Sequence, residues 1–288
     1  MVSIENEAAL ASTPARETAL ACVGAGIDAA RPDRVVADSV RLDGDRLRVA
    51  DATYDLSGVD RIVAVGGGKA ANGVADALET VLGDRLDAGA VVTPDPSAGG
   101  DHRIERLRGH HPVPSRAGVE GTDRIHELVA DADDRTLVLA IVTGGGSALL
   151  PAPAEGITLA DLQTTTDALL DAGAEIGALN AVRKHLSTLK GGGLAELAAP
   201  ATVVGLVFSD VVGNDLSVIA SGPTAPDEST YGDALGALDR YGVDPPEAVR
   251  RRLDAGAAGG LARTPPGGDP AFAPGAPPRP PGRPPPPT

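Results

Sequence analysis

The chain has 288 residues, with 25 Lys+Arg against 40 Asp+Glu and a net charge of −15. That length allows one large or two small domains with a sizeable core, and 42% hydrophobic residues exclude a disordered bulk. The acidity argues against nucleic acid as a partner, because phosphate binding rests on Lys and Arg. A single cysteine, Cys22, excludes an internal disulfide and a cysteine-rich zinc site. No apolar run approaches the roughly 18 residues of a spanning helix, so no membrane partner is expected. Glu5 and Glu7 stand where a secretory signal would be basic, and a cytoplasmic protein is the expectation.

Only three of the basic residues are lysines: Lys69, Lys184 and Lys190. Acidity, abundant Ala, Gly and Asp, and scarce lysine form a halophile-like composition. In such a chain each remaining lysine is a candidate for function.

In chain order, residues 7–30 predict an amphipathic helix. Residues 40–49 alternate around Asp43-Gly44 and predict a hairpin. Ile62–Val65 is a short buried strand that enters a glycine turn and a helix reaching residue 82. Residues 87–96 give another strand, and 118–132 a helix. The pattern recurs in 136–153, a buried strand entering a second glycine turn. Residues 158–193 read as two helices, the second stopped by the glycines at 191–193. Residues 201–224 are a third buried strand with a long polar loop. Short helices follow over 233–242 and 245–256.

Strands alternating with helices predict an α/β fold: a Rossmann-like, mostly parallel sheet with helices on both faces. Ligands of such sheets sit beyond the carboxyl ends of the strands. The expected domain spans residues 1–262. Residues 263–288 are expected to be a disordered tail rich in Pro and Gly, since twelve prolines fall in the last 24 residues.

Four segments carry candidate chemistry. In Gly66-Gly67-Gly68-Lys69-Ala70-Ala71, glycines let an anion approach backbone amides beside a charged lysine. Gly67 and Gly68 are the expected phosphate contacts. The spacing is not that of a Walker A loop, and a tight structural turn remains the alternative. The segment also fits G-x-G-x-x-A, the dinucleotide fingerprint, but Asp87 precedes its strand instead of ending it. Thr143-Gly144-Gly145-Gly146-Ser147 is a second anion cradle, with Gly145, Gly146 and Ser147 as contacts. Asn180, Arg183, Lys184 and Ser187 share a helical face, with Lys190 just beyond. These cations either favour a helix C-terminus or clamp a carboxylate or phosphate. Asp210 ends a buried strand, a position for magnesium or a general base. Asp215 is either a metal ligand or an Asx turn, and Ser221 and Thr224 follow as hydroxyl contacts. His111 is a substrate contact or a loop residue. The five histidines show no metal-ligand spacing, and no serine-hydrolase elbow is present.

Taken together, "GGGKAANGVADALE", "HHPVPSRAG", "TGGGSALLPAP", "GALNAVRKHLSTLKGGGLAEL" and "FSDVVGNDLSVIASGPTAPDEST" resemble, in order, the glycerate 2-kinase family, whose C-terminal part is the MOFRL domain. The resemblance runs from about residue 7 to about residue 256. It implies ATP- and Mg2+-dependent phosphorylation of D-glycerate to 2-phosphoglycerate, in a cleft between a Rossmann-like domain and a smaller C-terminal domain. It also implies that Lys69 is catalytic, because it occupies the family's functional lysine position. The family has carried the name hydroxypyruvate reductase, so an NAD(P)-dependent reductase is the alternative activity. A non-catalytic binding domain is a third reading.

The sequence departs from the family at His110, Ser115 and Asn214, and the matching segments stop near residue 256. The MOFRL domain is therefore expected to be absent and turnover impaired. The expected partners are glycerate and ATP, with a homo-oligomer or a separate C-terminal chain as further possibilities.

Overall fold

The computed structural model describes residues 3–96, 101–209 and 213–272. Two compact units emerge: the described residues up to Ser57 with Gly73–Gly83, and Gly58–Asn72 with the described residues from Asp84 on.

The first unit contains α1 (Glu7–Leu10), α2 (Pro14–Ala29) and α3 (Pro32–Ser39). The single helix expected over 7–30 is broken at 11–13. There Thr13 caps α2 by accepting from the Arg16 N–H, and Pro14 opens the new helix. β1 (Val40–Asp43) and β2 (Arg46–Val49) form the expected hairpin, with Asp43 opposite Arg46. A third strand, β3 (Ala52–Asp55), extends it beyond the sequence expectation.

The second unit is built on five strands: β4 (Arg61–Gly67), β5 (Ala88–Thr93), β6 (Ile104–Arg108), β7 (Thr136–Thr143) and β8 (Thr202–Phe208). All neighbours are parallel, in the order β6-β5-β4-β7-β8. β6 was not expected; it is an edge strand whose IERLR sequence mixes charge with apolar residues. α4 (Ala71–Leu82) belongs to the first unit from Gly73 on, and the second unit's helices are α5 (Arg116–Ala130), α6 (Gly146–Leu149), α7 (Leu159–Asp171), α8 (Ile176–His185), α9 (Gly193–Ala198), α10 (Tyr231–Arg240) and α11 (Glu247–Ala257).

Val63, Val65, Val92 and Val138 of the sheet pack with Ile125 and Val129 of α5 and Leu194 of α9. A second apolar cluster joins α7, α8, α10 and α11 through Leu169, Val182, Leu238 and Leu253. Burying each such side chain contributes about 1.5–3 kcal/mol.

Two departures bear on function. α8 ends at His185, before the glycines that were expected to stop it. Ser187 Oγ accepts from the N–H groups of Leu189 and Lys190 and turns the chain there. Residues 263–272, expected as the start of a disordered tail, are hydrogen-bonded to the body. The Thr264 hydroxyl donates to Asp227 Oδ2 at 2.8 Å, and the Asp227 N–H donates to the Pro265 carbonyl at 2.9 Å. The remainder of that segment, 273–288, lies outside the described residues.

The sheet reverses direction between β4 and β7. From β4 the chain steps outward through β5 to β6, and from β7 it steps the other way to β8. A crevice at the carboxyl ends of two such strands is the usual ligand position in this architecture. Both glycine turns emerge there.

Candidate active site

The two turns are interlocked. The Lys69 N–H donates to the Gly144 carbonyl at 2.8 Å, and the Ala70 N–H donates to Thr143 Oγ1 at 3.1 Å. Gly68 N–H bonds to the Val92 carbonyl, and Ala71 N–H to the Gly68 carbonyl. The amides of 68–71 are therefore engaged internally. In this turn Gly68 lies against Thr143 of β7, whereas a Cβ on Gly67 would stand 2.7 Å from the Val92 carbonyl of β5. A Cβ on Gly68 would stand 2.0 Å from Thr143 Oγ1, and φ there is +133°.

The second turn keeps the open amides. Among the described residues, no hydrogen bond occupies the N–H groups of Gly144, Gly145, Gly146 or Ser147. Gly145 adopts a φ of 86°, so the chain turns sharply from β7 into α6. Successive unpaired N–H groups in such a turn form an anion-binding concavity.

Two side chains flank this turn. A carbon added to Gly145 would lie 3.0 Å from His111 Cδ2 and 3.2 Å from Lys69 Cε. Lys69 is exposed. Partial burial, then the Lys69 ammonium and the Arg183 guanidinium, hold the His111 imidazole below its ordinary value. Arg183, on α8, is half-buried, and burial alone pushes it down to about 10. Among the described residues, no carboxylate pairs with Lys69 or Arg183. Three cationic or imidazole groups thus converge on open amides without a counter-charge.

A hydroxyl chain supports the same turn. Ser147 Oγ and Ser221 Oγ are 2.9 Å apart, and the Ser221 hydroxyl donates to Asn180 Oδ1 at 2.9 Å. Asn180 in turn donates to the Val218 carbonyl. Ala220 and Ser221 both take left-handed backbone conformations, with φ of 51° and 63°. Ser147, Arg183 and Lys190 also line one small cavity of about 20 Å³.

The other expected residues make contacts of their own within the fold. Lys184 forms a buried ion pair with Asp227 at 3.0 Å, and its charge is satisfied within the fold. Lys190 donates to the Leu150 carbonyl at 2.7 Å. Asp215 Oδ1 accepts from the Ser217 N–H and hydroxyl, the Asx turn that the sequence left open. Thr224 lies against Gly205 of β8. Asp210 lies outside the described residues. Sequence reasoning missed Gln163, which donates from α7 to the Pro114 carbonyl at 2.7 Å and steadies the loop carrying His111. Asp227 was also missed; a lone aspartate in a Pro/Ser/Thr segment gives no burial signal.

The fold defines a Rossmann-like α/β domain with unbonded turn amides at its topological switch point. A family profile described as "Domain of unknown function (DUF4147)" matches residues 18–254, and the chain belongs to that family. It is similar to the D-glycerate 2-kinase of Thermotoga maritima, with 41% identity over 239 residues covering 83% of this chain and 54% of the relative. It is also similar to a protein of Agrobacterium vitis named "Putative hydroxypyruvate reductase", with 47% identity over 198 residues covering 69% of this chain and 51% of the relative. The crystal structure of glycerate kinase from Thermotoga maritima matches with a TM-score of 0.71 and 40% identity, covering 82% of this chain and 54% of that one. The chain thus spans about half the length of these relatives.

Proposed function

We propose that this chain carries the phosphoryl-transfer site of a D-glycerate 2-kinase. The observation that carries the reading is the convergence of Lys69, His111 and Arg183 on the open amides of 144–147. Phosphoryl transfer needs positioning and charge stabilisation more than covalent help from the protein. The γ-phosphoryl group of ATP passes to the 2-hydroxyl oxygen of D-glycerate, the hydroxyl proton departs, and ADP leaves.

Lys69 and the amides of 144–147 hold phosphoryl oxygens. Arg183 takes the glycerate carboxylate, and neutral His111 accepts a hydrogen bond from its hydroxyl. The Asn180–Ser221 pair fixes the Ser147 hydroxyl beside them.

A hard divalent cation such as Mg2+ needs oxygen ligands. Asp215 fits, because its Ser217 bonds occupy Oδ1, leaving Oδ2, and they hold the carboxyl below its ordinary value. When bound, the cation would neutralise phosphate charge.

The reductase alternative would place a pyrophosphate on the amides of 68–71, and those are already bonded. Asp87 also accepts from the Ile62 N–H at the start of its strand, away from the carboxyl ends.

Incubating the chain with ATP, MgCl2 and D-glycerate and following phosphorus resonances tests the reading. Formation of 2-phosphoglycerate, lost in Lys69→Ala, is expected. NAD(P)H oxidation by hydroxypyruvate without any phosphoglycerate would overturn it.

A further inference from the structure

A second cavity, of about 270 Å³, opens where α8, α10 and α11 meet the segment 261–265. Lys69, His111, Arg183, Ser147 and Asn180 do not line it, whereas Ser187 and Lys190 line both it and the small cavity beside Ser147. Its volume lies just below the range of drug-sized ligand pockets and suits a small molecule.

The lining holds polar groups that the fold leaves incompletely satisfied. His185 is only 1% exposed, and neither ring nitrogen makes a full hydrogen bond, the Thr230 backbone giving it a weak one at most. Its ring stacks on Tyr231 with centroids 4.4 Å apart, so its orientation is fixed. An unpaired buried donor costs free energy that a polar ligand would restore. Lys190 is 6% exposed, and its ammonium has one acceptor, the Leu150 carbonyl. Burial and the Arg183 charge push it down to about 7, the behaviour of a cation without a counter-ion.

Arg252 directs its guanidinium to two backbone carbonyls, those of His185 and Glu155. Among the described residues, no carboxylate pairs with Lys190, Arg252 or Arg263. Among the described residues, Lys184 is the one lining cation with an acidic partner, Asp227. Two carboxylates, exposed Glu155 and half-buried Glu196, also line the cavity and disfavour a highly charged polyanion.

We propose that this cavity is a second binding site, for a small oxyanion of the carboxylate or phosphate type. The ligand would take hydrogen bonds from Lys190 and the arginines, beside the stacked His185 ring. The site goes beyond the kinase reading and stands whether or not that reading holds.

The test is a titration of the full chain with inorganic phosphate and, separately, with acetate, following the ring resonances of His185 and Tyr231. Saturable shifts with at least one anion are expected; which anion gives them identifies phosphate or carboxylate chemistry. Lys190→Met should weaken binding by about tenfold or more, as loss of a charge-assisted hydrogen bond does. Arg263→Ala, at an exposed position, should weaken it severalfold and supplies the test if Lys190→Met fails to fold. Lys69→Ala should leave the shifts unchanged. No shift with either anion, or shifts abolished by Lys69→Ala and retained in Arg263→Ala, would overturn the proposal.

Discussion

The Lys69 N–H donates to the Gly144 carbonyl at 2.8 Å, tying the turn after β4 to the turn after β7. This bond places the Lys69 side chain over Gly145. It depends on a close approach to β7 that glycine at 66 and 68 permits. Gly68→Ala should therefore cost more than about 3 kcal/mol, from backbone strain plus a clash with Thr143. Urea unfolding checks this; an unchanged midpoint would contradict it.

The Lys184–Asp227 pair should govern acid stability. Burial pushes the Asp227 carboxyl up, but the Lys184 ammonium and the Thr264 and Ser229 hydroxyls outweigh that and hold it below its ordinary value. The unfolded chain therefore takes up this proton first as pH falls. The stabilisation is complete above the ordinary carboxylate pKa, near 4, and is lost as pH drops through the lower folded value. Asp227→Asn should cost about 3–5 kcal/mol at neutral pH, by leaving a buried lysine uncompensated. Denaturant melts between pH 2 and 7 would show the acid-labile component vanish in the variant.

Lys190 acts in the opposite range. Its amine is pushed down to about 7, so between there and its ordinary value, roughly 10.4, the unfolded state binds more protons. Stability from this group rises with pH across that window. Lys190→Met should flatten the rise; an identical pH profile would refute the burial argument.

His111 should titrate below the ordinary imidazole value of about 6.5. Lys69→Ala removes one of the two cations that lower it, so the value should move up. A proton NMR titration decides, and a shift in the other direction would separate the two side chains.

Much of this arrangement was legible in the sequence. Apolar runs 62–65 and 136–142 ending in glycine clusters marked β4 and β7, and glycine has few other reasons to cluster at a strand end. The scarcity of lysine drew attention to Lys69. The sequence could not distinguish which turn keeps free amides, because that depends on register between strands about 75 residues apart. Helical spacing grouped Arg183 with Lys184, yet these neighbours on α8 meet different surroundings: Arg183 lines the small cavity with Ser147, and Lys184 pairs with Asp227. β6 escaped notice because an edge strand with exposed charges lacks a clean period.

Calorimetric titration with 2-phosphoglycerate tests the central claim most directly, since that molecule presents a phosphate and a carboxylate together. Saturable binding by the chain is expected, weakened about tenfold or more in Lys69→Ala, the scale of one lost charge-assisted contact. Equal affinity in the two proteins, or no binding by either, would contradict the account.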